Sequence, residues 1–260
     1  MPPPLRTYHE LTDPDRSGLA AQIGAQRRRV AERLATVRRV VAVMSGKGGV
    51  GKSYVTAGLA RALARADRAV GVLDADLNGP TVARLLDAQD GRLAVQQDAV
   101  LPVRGADGVR LVSMSQVLED GRPLAFRGPE AESHVWRGAL EAAALREFLA
   151  DVAWGALDWL LVDLPPGIGR FQELADLLPA VPAVLVVTIP TPESADAVRR
   201  AMRAARERGA PLLGVVENMA GPPYAGDAGA ALAAEFAVPL LTRIPWHPAP
   251  DAWRALAERL

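Results

Sequence analysis

The two lysines of this chain lie five residues apart in one glycine-rich stretch. Lys47 and Lys52 are its only lysines, and the other 28 of its 30 basic residues are arginine. A sequence that uses arginine for nearly every cation keeps lysine where a compact ammonium on a flexible stem cannot be replaced by a planar guanidinium group. The stretch from Gly46 to Ser53 reads GKGGVGKS and matches the phosphate-binding pattern G-x-x-x-x-G-K-[ST]. These residues predict a site for the phosphates of a nucleoside triphosphate.

This predicted phosphate-binding loop follows a β-branched run, VVAVM, and opens a segment typical of a helix. In that arrangement the backbone N–H groups of the loop and the amino end of the helix converge on the phosphates. Lys52 is expected to reach the β- and γ-phosphates, and the Ser53 hydroxyl is expected to bind Mg²⁺. The residues predicted to bind the nucleotide here are Gly46, Gly48, Gly49, Val50, Gly51, Lys52, Ser53 and Tyr54.

Two acidic motifs end predicted strands. DADLNGPTV begins at Asp74, and LLVDLPPGIG contains Asp163. Carboxylates at the carboxyl ends of strands point into the crevice where an open α/β sheet binds its ligand. One carboxylate is expected to position the attacking water, and others, Asp74 and Asp163, are expected to hold Mg²⁺ through its water ligands. A single aspartate is more often a helix cap or a solvated loop residue, but a neighbouring phosphate loop favours the functional interpretation.

The alternation of short apolar runs with longer Ala/Leu/Arg segments predicts a doubly wound α/β fold with a mostly parallel sheet flanked by helices. Strands are predicted at residues 38–44, 69–73, 109–113, 158–162, 183–188, 212–216 and 239–243. Helices are predicted at residues 17–36, 52–66, 80–87, 135–152, 171–178, 192–208, 227–236 and 250–258. Residues 90–127 suggest an irregular or hairpin insertion. We divide the chain into an N-terminal extension with a basic helix, residues 1–37, and one P-loop ATPase domain, residues 38–260.

The composition excludes several classes of function. Lys+Arg and Asp+Glu balance at 30 each, so no overall basic field favours nucleic acid. Cysteine is absent, which excludes disulfides, thiolate metal sites and a cysteine nucleophile in this chain. No apolar run is long enough to span a bilayer, and the first residues lack the apolar segment of a signal peptide. We therefore expect a cytoplasmic protein without nucleic-acid or membrane partners.

Several motifs together resemble the Mrp/ApbC family of P-loop ATPases, relatives of MinD and ParA that carry a second, deviant Walker A lysine. SGKGGVGKS, LLDADLNGPT, VWRGALEAAALREFLADVAWGALDWLLVDLPPGIG and GVVENM follow one another as in that family, across about residues 38–258. The resemblance implies ATP as the nucleotide and a homodimer. It also implies four roles: Lys47 acting across the dimer, Asp76 as the catalytic carboxylate, Asp163 in the magnesium shell and Asn218 as an adenine contact.

The sequence also departs from the family pattern. Members that carry an iron-sulfur cluster have a Cys-x-x-Cys pair shortly after the ENM motif, whereas this chain reads ENMAGPPYAGDAG there. No cluster bound through its own cysteines is therefore expected. Tyr54 replaces a small hydroxyl residue, and Ile168 and Arg170 alter the usual PPGTGD motif, which leaves the behaviour of that segment open.

These features support two hypotheses on the cellular role. The first is an ATP-switched homodimer in or near iron-sulfur cluster assembly, acting through protein contacts and pairing with a cysteine-bearing paralogue or a cofactor-assembly protein. The alternative is a positioning or regulatory switch of the ParA/MinD type, for which the basic helix would provide the surface.

Other features have plainer interpretations. His9, His134 and His247 lack the spacing of a metal site and are expected to be ordinary surface or core residues. The segment QRRRVAERLATVRR is expected to be a solvated helix face, although a nucleic-acid or lipid surface is its functional alternative. The last helix, PDAWRALAERL, is short and has no lysine, so we expect it to pack against the sheet and not to bind a membrane as the tail of MinD does.

Overall fold

The computed structural model describes residues 19–76, 79, 81–96, 99–116, 143–224 and 226–260. His9, His134 and the first part of the helix predicted at 135–152 lie outside them. The described strands are β1 (Val37–Ser45), β2 (Val70–Asp74), β3 (Ala94–Gln96), β4 (Ala99–Leu101), β5 (Val103–Arg104), β6 (Arg110–Ser113), β7 (Leu157–Asp163), β8 (Ala183–Thr188), β9 (Leu212–Ala220) and β10 (Leu240–Pro245). The described α-helices are α1 (Leu19–Leu34), α2 (Lys52–Arg65), α3 (Val82–Leu85), α4 (residues 143–151), α5 (Gly169–Leu177), α6 (Pro192–Glu207), α7 (Ala228–Glu235) and α8 (Pro250–Glu258).

The central sheet has the order β10-β9-β8-β1-β7-β2-β6-β5. Every pair in it is parallel except the short edge pair β5–β6. This confirms the predicted doubly wound, mostly parallel architecture. The seven predicted strands all form, and β9 continues past the predicted end at 216 to Ala220. The predicted insertion contains an antiparallel hairpin, β3–β4, apart from this sheet.

Alternate residues of the central strands enter two separate hydrophobic cores. In β1, Val41 and Val43 face the core under α2, α3 and α8, whereas Ala42 and Met44 face the core under α1 and α4 to α7. Successive side chains of a strand point to opposite faces, and a parallel sheet covered by helices is apolar on both. The sheet is therefore buried on both sides, and its strand ends are where polar groups can gather.

The first and last helices both pack onto this body. Val30 and Leu34 of α1 are buried, and the Arg33 side chain donates a hydrogen bond to the backbone oxygen of Ala150 in α4, at 3.2 Å. Leu256 of α8 is buried in the core beside α2. Because α8 also contacts β10, the expectation that the last helix packs against the sheet is confirmed. No helix within the described residues combines the length and apolar character needed to cross a membrane.

Candidate nucleotide-binding site

The loop between β1 and α2 has the backbone that the glycine pattern predicts. Gly49 and Gly51 adopt φ of 79° and 77°, a left-handed conformation that residues with a Cβ rarely adopt. A Cβ on Gly46 would lie 2.2 Å from the backbone carbon of Ala197, in the first half of α6. The loop thus depends on glycine for its conformation at two positions and for its close contact with α6 at a third.

The side chains at the start of α2 converge on one buried carboxylate. The Lys52 ammonium lies 2.6 Å from Oδ1 of Asp163, and the Ser53 hydroxyl donates a hydrogen bond to Oδ2 at 2.5 Å. The Thr56 hydroxyl lies 2.9 Å from Oδ1. Lys52 is 6% exposed and Asp163 is fully buried. The ammonium and hydroxyl that could bind phosphate and metal are therefore held together by one carboxylate at the end of β7.

Strand register places a second carboxylate beside the first. Asp74 is opposite Asp163 in the β2–β7 pair and opposite Ser113 in the β2–β6 pair. Its carboxylate accepts hydrogen bonds from the backbone N–H of Val82 at 3.2 Å and from the Ser113 hydroxyl at 3.2 Å. Two acidic side chains thus end strands at the carboxyl edge of the sheet, as the sequence predicts, and the register shows that these strands are neighbours.

The electrostatics of the site are set by burial. Complete burial, and then the nearby charge of Asp163, raise the pKa of Asp74 to about 8. Backbone hydrogen bonds and the Lys52 ammonium act in the opposite direction without offsetting the burial. At neutral pH this carboxyl group holds a proton in the absence of a further cation, because the charged form of a buried acid is disfavoured.

Asn218 lies on the other side of the loop. Its Nδ2 donates a hydrogen bond to the backbone oxygen of Val50 at 2.9 Å, and the residue is 3% exposed. A Cβ on Gly51 would lie 2.3 Å from this Nδ2. The structure therefore brings the end of β9 against the loop, where an adenine contact is expected.

Lys47 and Asp76 are less enclosed than these residues. The backbone oxygen of Lys47 accepts a hydrogen bond from the Ser45 hydroxyl at 3.0 Å, and its side chain is half-buried. Among the described residues, none forms an ion pair with the Lys47 ammonium. Asp76 is half-buried two residues beyond Asp74, and its backbone N–H donates to Oδ1 of Asp74 at 3.3 Å. Both residues are therefore partly exposed to solvent.

Tyr54 and Arg170, two residues that depart from the family pattern, both make side-chain contacts in the structure. Tyr54 is 40% exposed and packs edge-on against Trp253 of α8, with ring centroids 5.3 Å apart. Arg170, in the first turn of α5, donates to Glu173 at 2.5 Å.

His247 is exposed, and the described residues contain no group of three or more acidic or histidine side chains arranged to hold a metal.

Sequence reasoning missed two residues of the site, Thr56 and Ser113. Thr56 lies four residues after Lys52, a spacing that places both side chains on one helix face. The sequence could therefore have predicted that Thr56 belongs to the site. Ser113 had none, because its contact with Asp74 depends on the register of two strands 39 residues apart in the chain.

The fold and the site define a P-loop nucleotide-binding protein of the α/β class, with the phosphate loop following the central strand. Residues 36–253 match the model of the ParA-group family described as NUBPL iron-transfer P-loop NTPase. The chain belongs to this family. The resemblance to Mrp/ApbC proteins is thereby confirmed.

Individual relatives agree with this assignment. The chain is 36% identical over 239 residues to an iron-sulfur cluster carrier protein of Saccharolobus solfataricus, across 87% of the chain and 77% of the relative. It is 39% identical over 232 residues to the human cytosolic Fe-S cluster assembly factor NUBP2, across 83% and 82%. A nucleotide-binding protein of Archaeoglobus fulgidus, solved in complex with ADP, is 32% identical with a TM-score of 0.70, across 90% of this chain and 91% of that one.

A more distant structure shares the fold. MinD of Aquifex aeolicus superposes with a TM-score of 0.58 at 19% identity, across 85% of this chain and 95% of that one. At that identity the likeness shows the architecture alone.

Proposed function

We propose that this chain binds ATP with Mg²⁺, hydrolyses it slowly, and acts as an ATP-switched homodimer in or near iron-sulfur cluster assembly. The observation that carries the proposal is the contact of Lys52 and Ser53 with Asp163 at the end of a glycine loop. Phosphate transfer needs a cation for the phosphates, an oxygen ligand for the metal and a carboxylate close to both. The resemblance to an ADP-bound protein over 90% of the chain supports the nucleotide.

In this proposal Lys52 binds the β- and γ-phosphates, and the adenine lies against Asn218. The oxygens of Ser53 and Asp163 lie 2.5 Å apart, and Asp74 is adjacent in register. This set of hard oxygen donors fits Mg²⁺, which usually keeps water ligands beside one or two carboxylates and the phosphates. Bound there, the metal would neutralise charge on the phosphates.

Asp76 and Lys47, which are both half-buried, take the two remaining roles in this proposal. Asp76 orients the attacking water and accepts its proton, a role supported by its partial exposure and by the hydrogen bond of its backbone N–H to Asp74. Lys47 reaches the phosphates bound by the second subunit. This would explain why its ammonium forms no ion pair with a carboxylate among the described residues. ATP binding would then join the two subunits, and hydrolysis would release them.

The iron-sulfur role rests on relatives and is limited by chemistry. Relatives named as cluster carrier and cluster assembly factor are 36% and 39% identical to this chain over the aligned residues. The chain has no cysteine, so it offers no thiolate to a cluster. We therefore assign it an accessory or regulatory task in the cytoplasm, carried out with a cysteine-bearing paralogue or another assembly protein. Residues 1–37 form an extension to the ATPase domain, residues 38–260, in this proposal.

Nucleotide binding and turnover test the biochemical part. Lys52→Ala is expected to abolish ATP binding in calorimetry, because the phosphates lose the lysine within the loop. Arg200→Ala removes an exposed cation on α6 that is not part of the loop and should bind ATP as the wild type does. Near-normal affinity in Lys52→Ala would remove the central claim. Undetectable turnover by the wild type with Mg²⁺ would make the chain an ATP-binding scaffold.

Co-purification from the native host tests the cellular part. Tagged Asp76→Asn protein, expected to retain ATP, would be isolated with ATP and Mg²⁺, and its companions identified by mass spectrometry. Lys52→Ala protein is the control for contacts that do not depend on nucleotide. Enrichment of cysteine-bearing cluster proteins supports the proposal. Enrichment of chromosome-, septum- or membrane-positioning proteins instead would favour a switch of the ParA/MinD type.

A further inference from the structure

A groove of about 930 Å³ runs along the outer side of α2, apart from the phosphate loop. It begins at Tyr54 and Trp253, passes Gly58 and Ala62, and ends beside the amino ends of β1 and β7. We call it the α2 groove. From Tyr54 to Arg65 its length is about 17 Å, given the rise of an α-helix. That length is matched by about five residues of extended chain.

The far end of the α2 groove is positively charged. Five arginines face two acidic side chains, Asp107 and Asp158, among the described residues, which leaves an excess of three positive side-chain charges. The arginines are Arg38, Arg39, Arg61, Arg65 and Arg68. Over the whole groove the excess falls to two, because Arg254 is outnumbered by Asp251 and Glu258 at the other wall. The charge is thus concentrated where α2 ends.

The arginines at this end are held in place. The guanidinium of Arg39 lies 4.8 Å from the centre of the Trp159 ring and donates to the backbone oxygen of Leu260 at 2.9 Å. Arg61 and Arg65 share Asp107, at 2.9 and 3.1 Å. A guanidinium has five N–H donors, so an arginine with one carboxylate partner retains donors for a second.

The near end of the α2 groove is aromatic. Tyr54 packs against Trp253 and remains 40% exposed. Gly58 has to be small here, because a Cβ would lie 2.5 Å from the Trp253 ring. Arg254 and Asp251 of the adjacent helix pair with each other at 2.8 Å. This end therefore presents apolar surface, whereas the other presents cations.

We propose that the α2 groove binds an extended acidic segment of a partner protein, with an apolar side chain against Tyr54 and Trp253 and its carboxylates on the arginines. Arginine binds carboxylates with two parallel hydrogen bonds, and the separate aromatic and charged ends of the groove determine where the apolar and acidic parts of the segment lie. A nucleic acid fits less well, because the chain has a net charge of zero and the groove offers only Tyr54 as a widely exposed ring for base stacking. This surface goes beyond the proposed ATPase activity and supplies a contact through which a chain without cysteines engages its partners.

Fluorescence anisotropy with defined probes tests the ligand class. The probes are a labelled peptide with one Phe followed by a run of Asp and Glu, the same peptide with Asn and Gln in place of the acids, and a labelled oligo-dT of equal charge. The acidic peptide is expected to bind, more weakly as salt rises, and the amide peptide is not. Equal binding of both peptides, or no binding of either, overturns the proposal. Preference for the oligo-dT replaces it with a nucleic-acid surface.

Charge reversals locate the site. Arg68→Glu, at the charged end, is expected to weaken binding of the acidic peptide about three- to tenfold, since an attraction becomes a repulsion. Ala62→Glu, in the middle of the groove, should also weaken binding of the acidic peptide. Arg200→Glu makes the same charge change as Arg68→Glu on an exposed part of α6 and should leave binding unchanged. Equal effects of Arg68→Glu and Arg200→Glu would show that only net charge matters.

Calorimetry with ATP on the same preparations separates this proposal from the ATPase proposal. Arg68→Glu protein that binds ATP normally is folded, so its loss of peptide binding belongs to the groove. Wild-type protein that binds the peptide but not ATP refutes the nucleotide proposal alone. The reverse result refutes the α2 groove alone.

Discussion

The Lys52 ammonium and the Asp163 carboxylate lie 2.6 Å apart, both buried, at the point where the phosphate loop meets β7. Ser53 and Thr56 direct their hydroxyls to the same carboxylate. The carboxylate therefore occupies the groups that a nucleotide and its metal need. We infer that nucleotide binding exchanges one negative partner of Lys52 for another.

This exchange predicts the behaviour of Asp163→Asn. Without Mg²⁺, the variant should bind ADP more tightly than the wild type, about tenfold, because the phosphates no longer compete with a carboxylate for Lys52. Mg²⁺ is expected to raise the nucleotide affinity of the wild type and to allow its turnover. Asp163→Asn should lose most of both effects of the metal. Calorimetry with ADP in EDTA and in Mg²⁺ measures both.

Thr56→Val is the matched control, because it removes a hydroxyl that contacts Asp163 and keeps the charge pair. It should lower the free energy of unfolding by about 1 kcal/mol and leave the response to Mg²⁺ nearly intact. If both variants change ADP affinity alike, the Lys52–Asp163 contact is not what nucleotide displaces.

The raised pKa of Asp74 predicts a pH dependence of stability in the absence of nucleotide. Its pKa in the folded protein is about 8, against an ordinary value of 3.8, so the folded protein binds this proton more tightly than the unfolded chain between those pH values. Stability from this group therefore falls as pH rises from about 4 to 8, by at most about 1.4 kcal/mol per pH unit.

Asp74→Asn should abolish this part of the slope, since an amide does not titrate. Urea unfolding of both proteins across that pH range, in EDTA, gives the difference directly. Parallel curves for the wild type and Asp74→Asn would mean that the buried carboxyl titrates at an ordinary pH.

Local and non-local features differ in how far the sequence determined them. The apolar runs and the GKGGVGKS motif predicted β1, the loop and α2 with ends displaced by a residue or two, because strand and loop formation depend on neighbouring residues. That Asp74 and Asp163 end strands at the carboxyl edge of the sheet followed from the class of fold. Their direct alignment, and the burial that raises the pKa of Asp74, depend on sheet register and side-chain packing, which no local pattern encodes.

The α2 groove is a second feature that the sequence did not predict. Its arginines come from β1, α2 and the segment after it, and appear in the sequence as scattered charges on solvated faces. The sequence drew attention to the basic segment QRRRVAERLATVRR, whose last two arginines, Arg38 and Arg39, line the groove, whereas its other arginines belong to α1. In the structure, Arg29 of that helix pairs with Asp151, and Arg33 contacts the backbone of α4.

Asp76→Asn should separate binding from turnover. The amide keeps the size and hydrogen-bonding shape of the side chain but cannot accept a proton from water. We expect near-normal ATP affinity and hydrolysis slowed about a hundredfold or more, measured by phosphate release. Asp90→Asn, a change of the same kind on an exposed residue beyond α3, should hydrolyse ATP at the wild-type rate. Full turnover in Asp76→Asn would require another residue to position the water.

Lys47 gives the sharpest test of the dimer, because the plain phosphate-binding pattern does not require a lysine there. Its half-buried ammonium has no ion pair among the described residues, as expected for a group whose partner is on a second subunit. Lys47→Ala should bind ATP as a monomer almost normally, yet lose ATP-dependent dimerisation and most turnover. Lys47→Arg should fail as well, since a planar guanidinium fork does not fit a site shaped for a compact charge.

Light scattering of the wild type and both Lys47 variants, with and without Mg²⁺ and a non-hydrolysable ATP analogue, measures this directly. The wild type should double its mass with the analogue, and Arg200→Ala, which changes a cation away from the loop, should do the same. Unchanged dimerisation in Lys47→Ala would show that the second lysine is incidental. The subunits would then have to be joined by other contacts, and ATP would not act across the interface through this residue.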